Sequence, residues 1–190
     1  MNKYLIYTLL FFKLLIQTSC THYDKLDQDF DAAFYGVINK TIKKSHLRLG
    51  TSILGFGGEA LHEINSIEID FFKPGYYTLE EARSFILQLF FLYDETFQSM
   101  YEELKPFLAK KFTTIDRSSL RLIFYDDVSG LSKAPFISAV SFFGKRITYT
   151  QEKANFDPSP GLAPNPFNVI VLEETIEEAK RKLIDHEKIK

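Results

Sequence analysis

A chain of 190 residues with a formal net charge of −2 has room for one globular domain and a targeting segment, and no long-range attraction for nucleic acid. Its single cysteine excludes an internal disulfide framework and a multi-cysteine zinc site. The aromatic residues are 19 Phe and 10 Tyr with no Trp, enough to fill a sizeable core.

The first element reads as a targeting segment, with a plain secretion signal or a buried N-terminal helix as the other readings. Met1-Asn2-Lys3 gives a short positive end, Tyr4 to Ile16 is apolar apart from Thr8 and Lys13, and Gln17-Thr18-Ser19 leads into Cys20. Charge, apolar run and small-residue exit, in that order, are the layout of a secretory signal. The run is too short to span a bilayer, which takes about 20 apolar residues. Ending in Thr18-Ser19-Cys20, the segment resembles a bacterial lipoprotein precursor. In that family the chain is cut before a cysteine that carries a diacylglyceryl group. The resemblance covers about the first twenty residues. It implies loss of residues 1–19, lipid (palmitate) attachment at Cys20 and a mature charge of about −4, since Lys3 and Lys13 leave with the signal. In that family Thr21, rather than Asp, after the cysteine implies passage to the outer membrane, and the expected location is the outer membrane or the periplasm. Residues 20–29 then read as a tether and residues 30–190 as one domain.

Beyond the tether, Phe30, Ala33, Phe34, Val37, Ile38 and Ile42 recur at helical spacing and predict a helix to about Lys44. Leu49 to Phe56 reads as a strand, bounded by Gly50 and by Gly55-Phe56-Gly57-Gly58. Ile67-Glu68-Ile69-Asp70-Phe71 alternates strictly and predicts a strand with one apolar face, ended by Pro74-Gly75. Thr78-Leu79-Glu80-Glu81 is a capping box. It starts a helix of about seven turns whose stripe is Ala82, Phe85, Ile86, Leu89, Tyr93, Phe97, Met100 and Leu104, with Pro106 placed to stop it. Leu120–Tyr125, Phe136–Phe143, Arg146–Thr150 and Phe167–Leu172 read as strands, and Gly144-Lys145 as a two-residue hairpin turn. Pro158, Pro160, Pro164 and Pro166 exclude regular structure between the last two strands. Thr175-Ile176-Glu177-Glu178 is a second capping box and opens a closing helix. The expected fold is α+β: an antiparallel sheet of about five to six strands, with one long amphipathic helix and shorter helices mainly on one face.

Several motifs imitate chemistry. Gly55, Gly57 and Ala60 match G-x-G-x-x-A, and Asp70 stands where a ribose-binding acid would. The dozen or so residues of a crossover helix are missing, so a glycine turn or bulge between antiparallel strands is expected, with no nucleotide and no cofactor. Asp27, Asp29 and Asp31 are spaced like calcium ligands, but Ala32 and Ile38 occupy the places of the required Gly and Glu. The four histidines, His22, His46, His62 and His186, form no metal-binding spacing, and Ser66 replaces the second His of an H-E-x-x-H begun at His62-Glu63. Lys43-Lys44, Lys110-Lys111 and Lys180-Arg181-Lys182 read as solvated faces and helix ends.

With no catalytic constellation visible, the expected role is a noncatalytic binding or structural protein of the cell envelope, held at a membrane by its lipidated N-terminus and open to a protein partner. One alternative is a small exported enzyme, hydrolase-like, with a site assembled in the fold from Asp70, Asp126, Asp127 and His62. Another is an exported factor recognising a host or rival protein through exposed aromatics such as Tyr76, Tyr77 and Phe91.

Overall fold

The computed structural model describes residues 27–60, 63–126, 130–131, 135–152 and 168–187. The predicted signal, Cys20 and most of the tether lie outside them, as do His62 and Asp127.

Helix α1 covers 27–49, five residues past the predicted end. Gly50 ends it: φ is +63° there, and its N–H bonds to the His46 carbonyl at 3.1 Å. A left-handed residue just past a helix end is the ordinary reason for glycine at that place. Leu49, expected to open a strand, is instead the last helical residue, and its carbonyl accepts from Lys73 Nζ. Strand β1 then runs Ser52–Gly57 and pairs antiparallel with β2, Ile67–Pro74, with a bulge between Ile53 and Gly55. The glycine-rich motif is therefore a turn and bulge between antiparallel strands. Gly58 sits at φ +141°, and a Cβ there would lie 2.2 Å from the Ser66 carbonyl oxygen, so only glycine fits.

Helix α2, Leu79–Ser99, begins at the predicted capping box: Thr78 Oγ1 accepts the Glu81 N–H at 3.3 Å and Glu81 Oε2 accepts the Thr78 N–H at 2.9 Å. It is shorter than expected. The chain breaks at Met100 (φ −114°, ψ 8°) and resumes as α3, Tyr101–Leu104, and a 3₁₀ turn, Lys105–Phe107, that contains Pro106. The break turns Met100 onto α1, where its Cε would lie 2.8 Å from a Cβ on Gly36. A short helix α4, Thr114–Arg117, leads into β3, Ser118–Asp126. The two-residue strand β4, Gly130–Leu131, folds back on the end of β3. Strands β5, Ala139–Phe143, and β6, Arg146–Glu152, are joined by Gly144 and Lys145 at φ +54° and +71°, the backbone of a tight hairpin. Strand β7, Asn168–Thr175, pairs with β6, and the second capping box, Thr175 with Glu178, starts α5, Ile176–Glu187.

The strand order is β1-β2-β3-β5-β6-β7, with β4 on the end of β3, and the class is α+β as expected. One pairing departs from the expected pattern: β2 and β3 run parallel, and all others antiparallel. A parallel pair needs a connection long enough to carry the chain back to the starting end of the sheet. Helix α2 supplies it, and it pays twice by covering the core it crosses.

Inward residues are Ile67, Ile69 and Phe71 of β2, Leu120, Leu122 and Phe124 of β3, Val140 and Phe142 of β5, and Ile147 and Tyr149 of β6, all buried. Ile86, Leu89, Phe90 and Tyr93 of α2 meet them in one core that also takes Val37 and Ile38 of α1 and Ile176 and Ala179 of α5. Each such side chain contributes on the order of 1.5–3 kcal/mol on burial. All the longer helices thus stand on one face of the sheet.

Candidate functional site

Alternation along the strands sends every second side chain to the opposite face. There, register lines up Asp70, Arg121, Ser141, Thr148 and Glu173 in one row across five strands, with Gly55 of β1 at its end. Arg121 Nε donates to Asp70 Oδ1 at 3.1 Å and its Nη2 to Oδ2, a two-bond pair, and Thr148 Oγ1 lies 3.5 Å from Glu173 Oε1. The neighbouring row on one side is mainly apolar: Phe72, Ile123, Ala139, Thr150 and Ile170. On the other side stand Glu68, Ser119, Phe143, Arg146 and Thr175. These side chains are exposed or half-exposed, except Ala139; Phe143 is 61 % exposed. Among the described residues no helix packs on this face. It offers a mixed surface with aliphatic and aromatic groups beside a half-exposed guanidinium–carboxylate pair.

Of the residues singled out from sequence, Asp70 is on this face, held by Arg121. Asp126 ends β3 opposite Gly130, five positions beyond Arg121 along the strand, so its backbone lies about 16 Å from the Asp70 level at about 3.3 Å per residue. The structure does not bring those two together. His62, Asp127 and Cys20 lie outside the described residues. The aromatic candidates separate. Tyr76 is exposed and its ring lies 5.2 Å from that of Phe136. Tyr77 is half-buried, donates to the Pro74 carbonyl at 2.7 Å and packs on Phe85 and Phe124. Phe91 is exposed on α2 under Lys180 Nζ, 4.8 Å from the ring centroid.

Sequence reasoning missed a polar cluster inside the core. Glu174, its side chain 1 % exposed, accepts from Arg83 Nε and the Tyr149 hydroxyl at Oε1, both at 2.7 Å, and from Lys182 Nζ at Oε2, also 2.7 Å. Arg83 Nη2 reaches Oε2 at 3.4 Å, and the guanidinium lies over the Tyr149 ring at 5.8 Å. Burial pushes the Glu174 carboxyl up, but the bonds from Arg83, Lys182 and Tyr149 outweigh it and hold the group below the usual carboxylate range. Burial and the bond to Glu174 push the Tyr149 hydroxyl up. The cluster ties α2, β6, β7 and α5 into one block. A trace of it was present in the sequence. Arg83, Leu87 and Phe90 form a second inward stripe on α2, at i, i+4 and i+7, and an arginine in such a stripe calls for a buried anion.

Compared with known proteins, the chain matches no family model, no curated protein and no solved structure. Among the described residues no helix is long and apolar enough to cross a membrane, and no three His, Cys, Asp or Glu side chains are grouped to hold a metal ion.

Proposed function

We propose that this is a noncatalytic binding protein of the cell envelope, anchored by a lipid on Cys20 and meeting a protein partner through the uncovered face of its sheet. The observation that carries the binding reading is that face itself. It is a six-strand surface with helices, among the described residues, on one side only, and the Asp and Arg at its centre are bonded to each other rather than aimed into a cleft. Arg and large aromatic residues are the side chains that most often anchor protein interfaces, and Arg121, Tyr125 and Phe143 stand exposed here. The anchor rests on the N-terminal resemblance. Together they suit a domain that presents one side to a partner while tethered to a bilayer, in the producing cell's own envelope or against a host or rival protein.

Metabolic palmitate labelling tests the anchor: label is expected on the wild-type chain and absent from Cys20→Ala, and equal labelling of both would overturn it. A photocrosslinking amino acid at position 121 or 143, in cells, tests the face. A discrete crosslinked product is expected from these positions and none from position 88 on the outer side of α2. The same pattern from all three would remove the face from the proposal.

A further inference from the structure

The two edges of the sheet are not alike. At β1 the edge strand is short, bulged between Ile53 and Gly55, and its Phe56 is capped by Tyr35 of α1 at 5.9 Å between ring centroids. At the far edge, β7 offers eight residues that, among the described residues, pair on one side only, with β6, and include no proline and no lysine. The register slips at Tyr149/Thr150, so Val171 is an extra residue on β7 and the alternation fails there. The result is three consecutive exposed apolar side chains: Val169 at 41 %, Ile170 at 57 % and Val171 at 43 %. An edge of this kind leaves backbone N–H and C=O groups ready to pair with another strand.

Beside the C-terminal end of β7 is a cavity of about 250 Å³ lined by Arg146, Glu173, Glu174, Thr175 and Glu178. Its carboxylates differ in what they already hold. Glu174 is taken by Arg83, Tyr149 and Lys182, and Glu178 by the Thr175 cap. Among the described residues, Glu173 has only Thr148 at 3.5 Å and Arg146 at 4.0 Å. It is the carboxylate placed to receive a cation from outside.

We infer that β7 is a strand-addition site for an extended peptide segment of a partner protein, apolar where it crosses residues 169–171 and carrying a Lys or Arg that reaches Glu173. Main-chain bonds to the β7 edge supply the attachment and the Glu173 contact supplies the charge preference, as in other complexes that extend a sheet. The buried Arg83–Glu174 cluster holds β7 rigid, so the incoming strand meets a preformed edge. The inference rests on the reading of this protein as a binding protein and gives that reading a second surface and a partner chemistry.

The test uses the full chain in detergent micelles and two fluorescent octapeptides of alternating Val and Thr, one with Lys at both ends and one with Glu. The lysine peptide should bind and slow amide hydrogen exchange across 168–175, with β1 unaffected. The glutamate peptide should bind about tenfold more weakly, a difference of about 1.4 kcal/mol. Glu173→Lys should reverse that preference and Glu173→Gln should abolish it, both with unchanged circular dichroism. Unchanged β7 exchange, or an unaltered charge preference in Glu173→Lys, would overturn the proposal. So would protection of β7 that rises with protein concentration without peptide, because the occupant would then be a second copy of the chain. Failure of this test leaves crosslinking at positions 121 and 143 intact, whereas failure of the binding reading removes both.

Discussion

On the helix side of the sheet Arg83 meets Glu174, and on the open side Arg121 meets Asp70. Each arginine forms two bonds to its carboxylate, and each pair joins elements far apart in sequence. Their surroundings separate them. The Arg83 and Glu174 side chains are 6 % and 1 % exposed, and Tyr149 and Lys182 fill the remaining positions around the carboxylate. Arg121 and Asp70 are 48 % and 30 % exposed, in reach of water and salt. An ion pair in water is worth roughly 0–1 kcal/mol. A buried pair adds little net stability, yet breaking it leaves a stranded charge, at a loss of about 3–5 kcal/mol. The same two chemical groups thus give a lock in one place and an adaptable contact in the other.

The sharpest way to break the comparison is Arg83→Ala. Chemical denaturation should register a loss of about 3–5 kcal/mol, because Glu174 keeps its burial without its main partner. A triple replacement, Arg83→Met with Tyr149→Phe and Glu174→Leu, which leaves neither a charge nor the Tyr149 hydroxyl unpaired, should recover most of that loss; if it does not, the stranded-charge account is wrong. Next in size is Tyr149→Phe, which removes one bond to a buried carboxylate and should destabilise by about 1.5–3 kcal/mol in the same measurement.

Acid should act on the buried side. The folded carboxyl of Glu174 lies below its unfolded value of about 4.3, so its contribution is present above that pH and is lost as pH falls through the folded value. Stability measured from pH 6 downward should therefore fall more steeply in the wild type than in Glu174→Gln below about pH 4.3; parallel curves would contradict this. The smallest effect belongs to the open face. Arg121→Ala should change stability by no more than about 1 kcal/mol, and by less in high salt, while weakening crosslinking at position 143.

What could be read from the sequence follows the same division between local and distant causes. The capping boxes at Thr78 and Thr175, the Gly144-Lys145 turn, the alternation of β2 and the α+β class all depend on residues a few positions apart, and all stand in the structure. The glycine motif at Gly55–Ala60 also reads correctly as a turn, since a nucleotide site would need a crossover the spacing does not allow. The break at Met100 carries no Gly or Pro to announce it; contact with Gly36, far back along the chain, accompanies it. Leu49 looked like a strand residue because the apolar Ile53-Leu54 of β1 follow closely, but Gly50 between them is the helix stop. The parallel β2–β3 pairing was hidden because strand direction is set by where α2 delivers the chain. Asp70 could be singled out as a residue, but Arg121, which gives it a neighbour, lies 51 positions away. Glu174 and Arg83 are 91 apart, and a charged residue beside Glu173 gave no reason to place one carboxylate inside and one outside.

The long reach between β2 and β3 also sets an order of assembly. Strands β5 and β6 need only a two-residue turn and can close in roughly 1–10 μs, whereas β2 must wait for α2 to form and for a far larger loop to shut. Contacts of such high sequence separation slow folding across small proteins. The β1–β2 ribbon should thus be the last piece to join the sheet, and pulse-labelled hydrogen exchange should find β5 and β6 amides protected before those of β2.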